Sequence, residues 1–171
     1  MSADHGLLVL RLFFGIAMAA HGAQKLFVWF GGYGLKATGG FFEGLGFRPG
    51  VVFAAAAGLS EFAGGLSIAA GLFTPFGAAA VLAAMLVAIF SVHIKHGFFA
   101  MSDGIELPFL YAVASLVLAI AGPGAISLDS ALGLGFLHEP VIVGAILLLT
   151  VAGAAVTLKS RTGGSNVYST S

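Results

Sequence analysis

The sequence predicts an all-α integral membrane protein, a compact helical bundle of four to five transmembrane helices. Of its 171 residues, 59% are hydrophobic and only 8% are charged, and the mean hydropathy is +1.07. A soluble domain carries roughly a quarter charged residues, so this composition favours a bilayer as the solvent. Five apolar segments are long enough to span, since about 20 helical residues cross a hydrocarbon layer of about 30 Å.

The apolar segments are continuous rather than alternating, which favours helices over the strands of a barrel. Proline and glycine mark the boundaries between them and predict helical hairpins. The predicted single domain covers residues 1–158, with spans at residues 6–29, 51–72, 76–95, 106–122 and 140–158. The polar, Gly- and Ser-rich residues 159–171 predict a disordered cytoplasmic tail.

The first span resembles a signal peptide at one point only, the small-residue sequence Ala17-Met18-Ala19. Residues 1–10 contain no Lys or Arg, and Arg11 interrupts the apolar stretch. We therefore expect this segment to remain as the first transmembrane helix.

The first connection, residues 30–50, is too rich in glycine to predict a firm helix. It mixes aromatic side chains with Lys36, Glu43 and Arg48. Two interpretations follow: an interfacial loop with aromatic anchors, or a re-entrant lid over a pocket that faces the cytoplasm.

Glycine is frequent within the spans, and the second span alone holds Gly58, Gly64, Gly65 and Gly71. Small residues let membrane helices approach closely, so that van der Waals contact holds the bundle together. Such faces fit tight packing within one bundle and a homodimer equally well.

Basic residues fall on one side when five spans are threaded alternately through a membrane. The residues concerned are Lys25, Lys36, Arg48, Lys95, Lys159 and Arg161. Because short loops rich in Lys and Arg stay in the cytoplasm, the N-terminus is predicted outside and the C-terminus in the cytoplasm. The common side of these basic residues favours five spans over four. The predicted location is the cytoplasmic (inner) membrane.

Several ionisable side chains lie inside the predicted spans. At 100° per residue, Arg11, His21 and Lys25 fall on one face of the first helix, within about 80° of one another. A charge near the bilayer centre costs at least about 2.5 kcal/mol, so these groups should point into the bundle and find partners. The acids available are Glu61 in the second span and Glu106 in the fourth.

Depth in the membrane predicts the pairs. Glu61 should meet His21 or Arg11, whereas Glu106 should meet Lys25 or His93. A histidine beside a carboxylate exchanges a proton near neutral pH and can hydrogen-bond a quinone carbonyl. The interpretation assigns proton handling at the reacting ligand to His21 and Glu61, and cofactor binding to Arg11, Lys25, His93 and Glu106. Structural ion pairs are the alternative for the same residues.

The chain contains no cysteine, which excludes disulfides, thiolate nucleophiles and cysteine-ligated metal centres of its own. Any redox chemistry therefore needs a bound cofactor. Haem ligated by His21 and His93 is an alternative to a quinone, and no metal site is predicted. A net charge of zero without a basic run argues against nucleic acid as a partner.

Four ordered blocks resemble the DoxX family of small bacterial membrane proteins over residues 7–129. The first block begins with "LRLFFGIAMAAHGAQKLFVWFGGYG" and continues to residue 50. The other three are "AAGLSEFAGGLSIAAGLFTPFGA", "VAIFSVHIKHGFF" and "GIELPFLYAVASLVLAIAGPGAISLD". The recurring polar positions of the family correspond to Arg11, His21, Gly22, Lys25, Glu61, His93 and Glu106. The family usually has four spans, and residues 130–158 add a candidate fifth.

The resemblance implies a protein similar to the membrane subunit of a thiosulfate:quinone oxidoreductase, in a family associated with thiol and oxidative-stress defence. We therefore predict a membrane component of a redox system, an oxidoreductase subunit that binds a quinone-like lipophilic molecule. Its expected partners are the lipid bilayer and a soluble redox protein. The alternative is a membrane carrier or assembly protein for a small metabolite or lipid, without electron transfer.

Overall fold

A computed structural model describes residues 2–162, and that part of the chain is built from helices and turns without strands. The α-helices are α1 (Ala3–Phe27), α2 (Gly34–Gly44), α3 (Gly50–Ala70), α4 (Thr74–Ala88), α5 (Glu106–Ala121), α6 (Leu128–Ala131) and α7 (Pro140–Lys159). A π-helix over Ile89–His93 and a 3₁₀ turn over Ile94–His96 extend α4. The last nine residues of the predicted disordered tail lie outside the described part.

The predicted fold class is confirmed. Among the described residues, four helices are long and apolar enough to cross a membrane, namely α1, α3, α4 with its extension, and α7. The fifth candidate, α5, is a shorter apolar helix of 16 residues. The result is a helical membrane bundle of four to five spans.

The first connection differs from the expectation, because residues 34–44 form a regular helix despite their glycines. Packing explains the difference. Gly39 of α2 lies so close to Val51 that an added Cβ would collide with it. Glu43 also accepts a hydrogen bond at 3.2 Å from the backbone amide of Gly50 at the start of α3. Tertiary contact thus outweighs the low helix propensity of glycine.

A seam of glycines joins α1 to α3. A Cβ added to Gly15 would collide with the backbone of Gly65 and Ala69, and one added to Gly22 would collide with the backbone of Gly58. The two helices therefore pack backbone against backbone, as small residues permit in membranes. This contact fixes the register of every polar side chain on α1 relative to α3.

The core lies around α4, which packs against α3, α5 and α7. Its buried side chains include Phe14, Met18, Ile68, Val81, Leu82, Met85 and Leu118. In the most apolar 18-residue stretch of α7 only 11% is buried, compared with 44% in that of α4 and its extension. The helix α7 therefore covers the outside of α4, while α1, α3, α4 and α5 surround the polar residues of interest.

Hydrogen bonds identify the two ends of the bundle. At one end, the amide of Ala125 after α5 donates to Asp4 at the start of α1, at 2.8 Å. At the other end, Arg161 donates at 2.8 Å to the carbonyl of Leu45, and the Thr162 amide donates to the Gly46 carbonyl. We call the second end the basic end, because it carries Lys36, Arg48, Lys95, Lys159 and Arg161. Which side of the membrane it faces stays a prediction.

Candidate functional site

An ion pair inside the bundle joins α1 to α3. The Nζ of Lys25 donates to the Oε2 of Glu61. The Glu61 side chain is only 5% exposed, whereas that of Lys25 is 28% exposed. The glycine seam sets this partnership, because Gly58 packs against Lys25 and Leu26 one helical turn before Glu61. The predicted pairing of Lys25 with Glu106 is therefore wrong.

His21 lies one turn before Lys25, and its side chain is exposed although α1 is a membrane-spanning helix. Its ring contacts the ring of Tyr111 on α5, with 5.8 Å between the centroids and an angle of 53° between the planes. Tyr111 also contacts Phe14, with centroids 6.1 Å apart. Along their lengths, α1 and α5 meet mainly through these rings rather than through close backbone packing.

We call this region the α1–α5 groove and define it by Phe14, His21, Lys25 and Tyr111. Its floor is aromatic, and its polar groups are one imidazole, one phenol and one ammonium. Glu61 stands behind the ammonium and balances its charge. Both Lys25 and Glu61 lie within electrostatic range of His21. The groove therefore combines hydrogen-bonding rings with a charge-balanced wall.

Arg11 does not pair with Glu61, which corrects the second predicted partnership. Its side chain is 1% exposed, and its Nη2 donates to the carbonyl of Ile126. The guanidinium packs directly against Gly71, where a Cβ would overlap it. Arg11 sits about three turns before His21 on α1, so the seam that brings Lys25 to Glu61 leaves Arg11 near the end of α3.

Asp129 is a buried acid at that end of the bundle, and it was not among the predicted site residues. It is 1% exposed and accepts hydrogen bonds from the amides of Phe73, at 2.7 Å, and Thr74, at 2.9 Å. It also bonds His138 at 3.2 Å and acts electrostatically on Arg11. The positive end of the α4 helix dipole stabilises an acid at these first amides. This cluster of Arg11, Asp129 and His138 holds the α5–α7 connection onto the bundle.

His93 and Glu106 do not bond each other either. The Nδ1 of His93 bonds the carbonyl of Asp103 at 2.6 Å, so that nitrogen carries the hydrogen. Glu106 accepts from the amide of Ala100 at 2.8 Å. Both side chains brace the connection between α4 and α5. Within residues 2–162, the Nε2 of His93 makes no hydrogen bond.

Of the six predicted site residues, the structure thus brings together three, His21, Lys25 and Glu61. Arg11 belongs to the opposite end, and His93 and Glu106 belong to the α4–α5 connection. Tyr111 joins the group without having been predicted. Within residues 2–162, no group of three or more histidines and acids could hold a metal ion.

The groove residues fit a quinone head group on chemical grounds. A quinone is a flat ring with carbonyl acceptors, and the groove offers aromatic faces with imidazole, phenol and ammonium donors. Haem would need axial ligands converging from two helices. Here His21 contacts Tyr111 on α5 whereas His93 bonds the α4–α5 connection, and no contact among residues 2–162 brings the two imidazoles together.

The chain matches the family model DoxX over residues 6–94, a little over half of its length. The matched part contains α1 to α4, and with them Arg11, His21, Lys25, Glu61 and His93. Tyr111, Glu106 and Asp129 lie beyond it. No curated protein and no solved structure matches the chain.

Proposed function

We propose a redox function for this chain, which belongs to the DoxX family. It is the membrane component of a redox system and binds a quinone-like lipophilic molecule in the α1–α5 groove. One observation carries this proposal: His21, a polar ring within a spanning helix, is exposed beside Tyr111. Gln24, one turn farther along α1, is a hydrogen-bond partner of the ring. Ionisable side chains within spanning helices are rare and usually mark a functional site, and the exposure of this one leaves it accessible to a ligand.

Access to the groove supports a ligand that arrives through the bilayer. Because α1 and α5 meet through side chains, the interface between them is the entry route that we propose. A lipophilic ring can enter there without crossing the membrane surface. Tyr111, backed by the buried Phe14, then offers aromatic contact, while His21 offers a hydrogen bond in surroundings of low dielectric.

Each polar residue has a separate role in the proposed site. His21 hydrogen-bonds a ligand oxygen and exchanges a proton there. Lys25 reaches the groove with its partly exposed ammonium, and Glu61 acts through Lys25 as a positioning residue. A bound quinone would supply carbonyl oxygens that take up two electrons and two protons.

The chain contains no cysteine that could carry electrons. In this proposal its bound ligand carries out the redox chemistry, and a partner protein supplies the electrons. A soluble redox protein at the basic end is the partner that we propose. His93 and the α4–α5 connection lie at this end of the bundle. The competing function is a carrier or assembly protein that holds a small metabolite or lipid in the same groove without electron transfer.

Binding can be measured through Trp29, the single tryptophan of the chain, which follows α1 and contacts Phe27 at 5.0 Å between centroids. The purified protein in mild detergent is titrated with a short-chain ubiquinone, and saturable quenching of Trp29 fluorescence is expected. His21→Ala should weaken binding about tenfold, the equivalent of one hydrogen bond. The matched control is His5→Ala, at the other end of α1.

Equal binding by His21→Ala and wild type would contradict the proposed site. Organic extraction of the purified protein, followed by absorption and mass spectrometry, separates the competing functions. Co-purifying quinone supports the redox proposal, and haem would replace the quinone as cofactor. A retained lipid or small metabolite, with no saturable quinone binding, would favour the carrier.

A further inference from the structure

We infer that Tyr111 on α5 is a ligand-contacting residue that selects a flat ring bearing a hydrogen-bond-accepting oxygen, admitted sideways between α1 and α5. The inference rests on the proposed function and deepens it. It assigns a role to a residue on α5, beyond the part of the chain that the family model matches.

The first observation is the arrangement of three rings. Tyr111 lies between Phe14 and His21, with centroid distances of 6.1 Å and 5.8 Å. Both contacts are tilted, at 48° and 53°, so the rings do not stack face to face. Phe14 is buried, whereas His21 is exposed and Tyr111 is half-buried, so these two rings are available for a further aromatic ring in an offset or edge-on contact.

The second observation is the free hydroxyl of Tyr111. The backbone carbonyl of Tyr111 accepts from Ser115 at 2.9 Å, but its phenol makes no hydrogen bond to any residue in the described range 2–162. The hydroxyl oxygen is not fully buried within that range, and the side chain as a whole is half-buried. Tyrosine hydroxyls in apolar surroundings normally have a partner, so this one is available to a ligand.

The two features make different demands on a ligand. The ring of Tyr111 provides contact area for any flat apolar molecule. Its hydroxyl adds a hydrogen bond only for a molecule with an acceptor oxygen near the plane of its own ring. A lipid acyl chain satisfies neither demand. The combination therefore selects an oxygenated aromatic or quinoid head group over the surrounding lipid.

Accessibility can be tested with single thiols, because the natural chain has no cysteine. Only a thiolate reacts with maleimide, so a cysteine in lipid or in a packed core stays unreactive. N-ethylmaleimide should label Tyr111→Cys about tenfold faster or more than two controls on the same helix. Ser115→Cys tests a fully buried position, and Val113→Cys tests a position that is 41% exposed on the opposite face.

Selectivity is tested by the variants Tyr111→Phe and Tyr111→Leu in the Trp29 quenching assay. Tyr111→Phe should bind short-chain ubiquinone roughly three- to tenfold more weakly and bind methylnaphthalene, which lacks carbonyls, as wild type does. Tyr111→Leu should weaken the binding of both ligands. Tyr33→Phe, at a tyrosine that is 84% exposed in the turn before α2, is the matched control and should bind as wild type.

The outcomes separate this inference from the proposed function. Slow labelling of Tyr111→Cys, or unchanged ubiquinone affinity in Tyr111→Phe, would overturn the inference while wild-type binding left the proposed function standing. Methylnaphthalene binding by a wild-type protein that binds no quinone would overturn the proposed function, and its loss in Tyr111→Leu would still support an aromatic site at Tyr111.

Discussion

Replacing Lys25 by methionine removes the cation that accompanies Glu61 inside the bundle. Met has a similar length and is apolar, so the packing against Gly58 is largely kept. The carboxylate of Glu61 is then left 5% exposed without its counter-charge. The Lys25→Met variant should therefore be less stable than the wild type.

The burial of the two partners sets the expected magnitude. Breaking a fully buried pair by removing one partner costs about 3–5 kcal/mol. Because 28% of the Lys25 side chain is exposed, its charge is partly screened, and we expect about 2–3 kcal/mol. The double variant Lys25→Met/Glu61→Leu removes both charges and should return to within about 1 kcal/mol of the wild type.

Unfolding in mixed detergent and SDS micelles, followed by circular dichroism at the helical band, measures these free energies. The thermal midpoint of Lys25→Met should fall by roughly 4–12 °C. Lys36→Met, at an exposed lysine on α2, is the matched control and should change little. If the double variant lost as much stability as the two single variants combined, the two side chains would not act as a pair, and the reasoning would be refuted.

Two further predictions concern the end of the bundle that holds Asp129 and the orientation in the membrane. Asp129→Ala deprives the amides of Phe73 and Thr74 and the ring of His138 of their acceptor, so it should cost about 3 kcal/mol or more in the SDS assay. Asp4→Ala, which loses the bond to Ala125, should cost only about 1 kcal/mol, and equal losses would contradict the role of Asp129. For orientation, a membrane-impermeant maleimide should label Ser130→Cys in intact cells and Lys36→Cys only after the membrane is opened. Reversed labelling would place the basic end outside.

The sequence predicted the helices well because hydropathy reports the solvent directly. Spans of apolar residues must form helices in lipid, where every backbone polar group needs an internal partner. The helix α2 escaped this reasoning, since its glycines lower its intrinsic propensity. Its stability comes from contacts with α3 at Val51 and Gly50, which no local pattern in residues 34–44 reveals.

The polar pairs were harder to predict than the helices. The common face of Arg11, His21 and Lys25 followed from helical periodicity, but their partners depend on the register between helices. That register is set by Gly15 and Gly22 against α3, and it places Lys25 rather than His21 at Glu61. Membrane depth estimated from span boundaries is uncertain by about a turn, which is enough to exchange one partner for another.

Asp129 and Tyr111 could be recognised only after folding. Asp129 reads as a residue of a short polar connection, and its role depends on the amides at the start of α4 being brought beside it. Tyr111 is one aromatic residue among many in an apolar helix. Its neighbour His21 is 90 positions away in the chain, so sequence spacing alone does not connect the two.

The glycine seam between α1 and α3 also has a mechanical consequence. Helices in backbone contact have no side chains between them that can change rotamer, so this pair moves as one stiff plate. On the other side of the groove, α5 faces α1 through rings that can rotate and separate. Because α5 is itself packed against α4, any adjustment to a bound molecule falls to the side chains between α1 and α5, while the seam keeps Lys25 and Glu61 in fixed relative positions.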